Sequence, residues 1–150
     1  MEEETTFITT KIKLFPLSHD VPCSGILIKE NDKELIYITD TGYINRNIIK
    51  NIKNKDMYIM ESNHDVEMLR NGRYPEFLQA RVWSDKGHLS NEQARNYLNQ
   101  VVGENTKYIV LAHLSEENNT EELVKDSTKD IKVKKIYIAK QNEALEAIEV

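Results

Sequence analysis

Half-cystines, long apolar runs and flexible linkers are all scarce in this chain of 150 residues. A single cysteine, Cys23, cannot close an internal disulfide. No apolar stretch approaches the length of a membrane-spanning helix, and nothing after the opening MEEETT reads as a secretory leader, so a cytoplasmic protein with no membrane partner is expected. Basic excess is also missing. The formal net charge is −5 with 30% charged residues, which argues against a broad electrostatic grip on nucleic acid or anionic lipid but leaves room for a locally basic groove. No repeat, low-complexity tract or Gly/Ser linker divides the sequence, so residues 1–150 are read as one domain or part of one.

What is present is a regular alternation of apolar segments. Strands are predicted over Thr9 to Leu17, with Pro16 at a bend, over Gly25 to Lys29 and Leu35 to Thr39 across the turn Asn31-Asp32-Lys33, and over Met57 to Met60. KYIVLAH and KKIYIAK supply two more. Helical spacing marks Asn45 to Asn54, Asp65 to Asn71, Asn91 to Val102 and Thr120 to Lys129, the third opened by the capping box Ser90-Asn91-Glu92-Gln93. A few antiparallel strands followed by alternating helix and strand predict an α/β layered fold.

The strand IYIT ends on Asp40, where an unpaired carboxylate would be expensive to bury, so a partner for it is expected. Three of the four histidines share that placement, and the fourth opens a helix. His19 follows FPLS, His64 follows MYIMESN, His113 follows YIVLA, and His88 lies in DKGHLSN at the start of a helix. Ligands of open α/β sheets sit beyond the carboxyl ends of strands and beside helix N-termini. A lone loop histidine is more often solvated or capping, but imidazole and carboxylate together suit zinc or manganese. Arg70, Arg73, Arg81 and Arg95 form a modest cationic group that could face a phosphate backbone or simply be a solvated face, and the aromatic residues show no stacking interval.

The segments SHDVPCSG, TDTGY, ESNHD, KGHLSNEQA and LAHLSEENN, in that order, resemble the second half of a metallo-β-lactamase-fold hydrolase, most closely the exonuclease-like YycJ/WalJ branch related to ribonuclease Z. The resemblance runs from about Lys11 to Lys140. It implies that His19 and His113 each bind one metal of a pair, that Asp40 bridges the two, and that His88 assists proton transfer near the scissile phosphate. In the complete enzyme the two ions, zinc or manganese, would lie about 3.5–4 Å apart and act on a phosphodiester of DNA or RNA. The helix start at Ser90 and Asn91 would help hold phosphate oxygens. His64 and Asp65 could orient a ligand through its other ring nitrogen, although capping of the following helix is the alternative for Asp65.

The family carries His-x-His-x-Asp-His near its N-terminus, and these 150 residues contain no His-x-His. The expectation is therefore the C-terminal half of the domain, half of a four-layer αββα sandwich: a mixed sheet with helices on one face. Such a half should bind metal weakly or not at all and should be inactive alone. It should leave an apolar inner sheet face to be covered by a missing N-terminal half-domain or by self-association. The competing reading is a catalytically inactive module that docks a partner through that face.

Overall fold

The computed structural model describes the backbone of residues 4–7 and the whole of residues 9–150. Seven strands lie side by side in sequence order: β1 (Glu4–Phe7), β2 (Thr10–Pro16), β3 (Ser24–Glu30), β4 (Lys33–Ile38), β5 (Met57–Glu61), β6 (Tyr108–Ala112) and β7 (Lys135–Ile138). Up to β4 the pairing is antiparallel, and from β4 to β7 it is parallel. The β3–β4 hairpin closes through Asn31 at a φ of 53°, a left-handed conformation that asparagine tolerates. Pro16 ends β2 beyond the last residue that β1 pairs, so its missing N–H deprives no neighbouring strand there.

Parallel neighbours need crossovers, and helices supply them. α1 (Arg46–Asn51) joins β4 to β5, α2 (Val66–Asn71), α3 (Glu76–Trp83) and α4 (Asn91–Val101) join β5 to β6, and α5 (Glu121–Thr128) joins β6 to β7. Right-handed crossovers that advance one strand at a time in one direction put every helix on the same face. That face is the main core. Ile36, Ile38, Tyr58, Met60, Ile109 and Leu111 alternate toward it and meet Ile49, Ile52, Leu98, Val101 and Val124 from the helices. α4 shows why a helix forms there: the Ser90 side chain and the Gln93 side chain cap reciprocally, and Ala94, Leu98 and Val101 make one buried stripe.

The opposite face differs from the bare surface expected. Met57, Tyr108 and Val110 are buried there, and the chain's own C-terminal segment packs on them through Ala139, Ile148 and Val150. Tyr37, on the same face, keeps 37% of its surface exposed, so the cover is partial. The predicted strands and four predicted helices are all present, whereas β1 and α3 were not anticipated. α3 contains no buried residue, so it lacks the apolar stripe from which a helix is read.

Candidate metal centre

Three adjacent parallel strands deliver three functional side chains at their carboxyl ends: Asp40 just past β4, Glu61 as the last residue of β5, and His113 just past β6. Asp40 and His113 both have φ near +59°. Left-handed backbone costs a non-glycine residue on the order of 1–2 kcal/mol, and such strain survives where surrounding structure over-determines it. His88 arrives from the loop between α3 and α4. That loop is fixed by backbone contact: a Cβ on Gly87 would lie 2.2 Å from the Val82 carbonyl oxygen, and one on Gly42 would lie 2.2 Å from that of Ser84. The Ser18 hydroxyl donates to the Asp85 carbonyl at 2.7 Å, pinning the turn that carries His19 to the same loop.

Glu61 organises the site. Its Oε1 accepts from His88 Nδ1 at 2.6 Å and from His113 Nδ1 at 2.7 Å, while Oε2 accepts from the backbone N–H groups of Thr41 and Leu89, each at 3.2 Å. Donation from both Nδ1 atoms fixes the tautomer in which each Nε2 carries the free lone pair. His113 Nε2 lies 3.4 Å from Asp40 Oδ1, and His88 Nδ1 lies 3.9 Å from the same oxygen. The Asp40 carboxylate thus stands beside two imidazoles, and the Thr39 hydroxyl donates to its Oδ2 at 3.4 Å.

Ligand atoms of Asp40, Glu61, His88 and His113 all fall within 4.8 Å of one another. The donor set fits a divalent ion that accepts mixed nitrogen and oxygen ligands, such as zinc or manganese. Both Glu61 oxygens are already engaged, so the atoms free to meet an ion are the Asp40 carboxylate and the two Nε2 atoms.

Burial alone would push the Glu61 carboxyl up. The imidazole donors of His113 and His88, the His88 charge and the Leu89 N–H outweigh it and hold Glu61 below its ordinary value. Conversely, the hydrogen bond to Glu61 raises the pKa of His113 against the effect of burial, with the Glu61 and Asp40 charges adding to the rise. The fully buried carboxylate is therefore ionised and paired, the arrangement that low-dielectric surroundings require.

The other predicted residues divide. His19 lines the same cleft, its Nδ1 3.0 Å from the Gly87 carbonyl and its ring centroid 5.1 Å from that of His88, but it stands outside the tight cluster. Its Nε2 faces Asp20 Oδ1 at 3.2 Å, and Asp20 in turn accepts from Arg81 Nε at 2.7 Å. Asp65 caps α2, accepting from Met68 N at 2.9 Å. His64 is buried, and neither ring nitrogen has a hydrogen-bond partner among the described residues, so it orients no ligand through a ring hydrogen bond here; burial pushes its pKa down to about 4.

Ser90 and Asn91 turn inward, contrary to the expectation that they face a phosphate. The Ser90 hydroxyl accepts from Gln93 N, and the buried Asn91 amide pairs with Asn119 and accepts from Ser62 Oγ at 2.7 Å. These groups brace the ends of β5, α4 and α5 against each other. Of the predicted cationic group, Arg81 lines the cleft, Arg70 stacks on Trp83 at 4.6 Å, and the buried Arg95 Nε lacks a hydrogen-bond partner among the described residues. Glu61 is the residue that sequence reasoning missed. The signal was present: MYIM runs straight into Glu61 as IYIT runs into Asp40.

The cleft above the cluster has a volume of about 460 Å³ and is walled by His19, His88 and His113 on one side and by Tyr74, Leu78 and Arg81 on another. No helix among the described residues is long and apolar enough to cross a membrane.

Residues 1–114 match the family described as Beta-lactamase superfamily domain. Among curated proteins, the chain is 41% identical over 124 residues to Exodeoxyribonuclease WalJ of Streptococcus pneumoniae serotype 2, covering 82% of this chain and 46% of that protein. It is 41% identical over 127 residues to Exodeoxyribonuclease YycJ of Bacillus anthracis, covering 84% and 48% respectively. The chain thus spans about half the length of the curated relatives it matches. In fold it is similar to the metallo-β-lactamase fold protein YhfI from Bacillus subtilis, with a TM-score of 0.69, 19% identity and coverage of 96% of this chain and 52% of that one. A mixed sheet with helices on one face, a histidine and carboxylate cluster at its strand ends, and these likenesses place the chain in the beta-lactamase superfamily, within the metallo-β-lactamase fold and beside the WalJ and YycJ exodeoxyribonucleases.

Proposed function

We propose that this chain carries the metal-binding and proton-transferring part of a metal-dependent phosphodiesterase that acts on DNA, as the C-terminal half of a metallo-β-lactamase domain. The observation that carries the reading is the sharing of one buried Glu61 oxygen by His88 and His113 beside Asp40. Asp40 and His113 would hold metal, and His19 would join them from the cleft wall. Zinc or manganese suits the donors. A divalent ion at this position supplies Lewis acidity toward a phosphodiester and lowers the pKa of an attacking water.

The remaining work belongs to the chain's own side chains. Glu61 fixes the His113 ring so that its Nε2 meets Asp40, and it fixes His88 so that the other ring nitrogen serves the cleft. There His88 acts as a general acid once its Nε2 has taken up a second proton while Nδ1 keeps its bond to Glu61. It gives that Nε2 proton to the departing oxygen and returns to the neutral ring. Arg81 adds positive charge to the cleft wall. Two histidines and a single aspartate fall short of the ligands that two ions need, so the remaining donors come from a further segment or a second polypeptide. DNA as substrate is supported by the names of the two relatives at 41% identity.

Metal content tests the proposal. Purified chain dialysed against zinc or manganese should carry metal detectable by plasma mass spectrometry, and His113→Asn, which keeps the left-handed backbone accessible, should lose it without unfolding. A folded chain that retains no metal at millimolar ion, or a variant that retains it fully, would sink the proposal.

A further inference from the structure

The β5–β6 ladder ends where the histidine and carboxylate cluster begins. Glu61 and Ala112 are its last residues in register, and just beyond them the Ser62 N–H donates to the Ala112 carbonyl at 2.9 Å. His113, the next residue, turns into left-handed backbone with a φ of 59°. A strand cannot continue through that conformation, so the His113 carbonyl needs a donor from outside the ladder. A side chain supplies it: Asn63 Nδ2 donates to the His113 carbonyl at 2.9 Å. The Asn63 carbonyl in turn accepts from the Ser115 N–H at 2.8 Å. One residue therefore clamps the turn His113-Leu114-Ser115 at both ends.

Asn63 is itself held firmly. It is 8% exposed, it lines the cleft, and its backbone N–H donates to the carbonyl of Leu89, the neighbour of His88, at 2.9 Å. Asn119 Nδ2 donates to the Asn63 carbonyl at 3.1 Å. The clamp thus stands on a braced junction. Glu61 fixes the His113 ring through Nδ1, but a bond to the ring leaves the backbone free to relax. A non-glycine residue disfavours left-handed backbone by on the order of tenfold in population, so something must hold it there.

We infer that Asn63 is the positioning residue for His113, holding its backbone left-handed as Glu61 holds its ring, so that Nε2 stays aimed at the ion site beside Asp40. The inference rests on the metal-dependent reading above and adds to it a residue that never touches the ion. Without the clamp only a fraction of molecules keep His113 in the competent conformation, and metal affinity falls by that fraction.

The test uses the full chain and two matched truncations. Asn63→Ala removes the bond to the His113 carbonyl; Asn119→Ala removes a bond to the same Asn63 junction and leaves the clamp intact. Zinc affinity is read by competition with a chromophoric chelator, and the ring-nitrogen signals of His113 are read by NMR on metal-free protein. Asn63→Ala should bind zinc about tenfold more weakly, as for other groups that orient a metal ligand, and should shift the His113 ring signals while those of His19 stay in place. Asn119→Ala should lower the thermal midpoint and leave both readings unchanged. Unchanged zinc affinity in Asn63→Ala would overturn the inference, as would an equal loss in both variants, which would make Asn63 a general brace. Should Asn63→Ala not fold, hydrogen exchange on the parent decides: zinc should slow exchange of the Asn63 side-chain amide protons, and unaltered exchange would overturn the inference. A parent chain that binds no zinc would instead sink the phosphodiesterase reading. The metal-free His113 signals would still decide the clamp, shifted in Asn63→Ala if it exists and unshifted if it does not.

Discussion

Replacing Glu61 with glutamine tests the centre of the site with the smallest change of shape. The carboxylate accepts four hydrogen bonds, two per oxygen, with its side chain wholly buried. An amide can present its oxygen to only one pair. If the oxygen stays toward the imidazoles, the amide nitrogen confronts the Thr41 and Leu89 N–H groups; if it flips, His88 and His113 must change tautomer and lose the Nε2 lone pair. In the second orientation the loss is smaller but both Nε2 lone pairs are gone. In the first, two buried donors lose their acceptor, at about 1–3 kcal/mol each, so Glu61→Gln should lose about 2–6 kcal/mol of stability. That is a large share of the roughly 5–15 kcal/mol typical of a domain. Urea unfolding of metal-free protein measures the loss, and NMR titration should find the His113 pKa falling toward its ordinary value once the neighbouring charge is gone. A variant within about 0.5 kcal/mol of the parent, with His113 titrating unchanged, would refute the account of Glu61 as an ionised shared acceptor.

Asp40→Asn should keep the left-handed backbone that asparagine tolerates and should therefore remove metal binding with little loss of stability, whereas Asp40→Ala should add roughly 1 kcal/mol of strain to the same metal loss; metal content and melting temperature of the two variants separate the effects. His64→Leu should stabilise the protein by removing two unpartnered buried ring nitrogens, and it should flatten the acid limb of the stability curve. With its pKa pushed down to about 4 by burial, His64 takes up protons on unfolding at any pH between about 4 and its ordinary 6.5, so stability falls on acidification through that interval by roughly 3 kcal/mol; an unchanged slope in His64→Leu would dismiss this source.

The strands were legible because their apolar runs are short, β-branched and bounded by turn residues, and the site was half legible because Asp40 and His113 directly follow such runs. Glu61 escaped because a lone glutamate at a strand end has no marker other than position, and its partners lie 27 and 52 residues away. α3 escaped for the opposite reason: tertiary contacts at its ends hold it, not a buried face. Ser90 and Asn91 carry a strong capping pattern, which says that a helix begins there but not whether its first turn faces a ligand or the core. His64 looked like His19 and His113 in its place after a strand, and burial sets it apart.

One shared carboxylate also ties the two chemical tasks of the site together. Below its ordinary 6.5 the His113 imidazolium strengthens the bond to Glu61, and that contribution to stability fades as pH rises through the elevated folded value; the Glu61 contribution fades instead as pH falls below its ordinary 4.5 toward its depressed folded value. Between those limits both are complete in the metal-free chain, and the slope there is left to His64. His88 draws on the same Glu61 Oε1 as His113, so a proton held on His88 competes for the charge that orients the His113 ring. On the proposed function, metal affinity at His113 and proton delivery from His88 would be coupled through that single buried oxygen, so a substitution at Glu61 should alter both together.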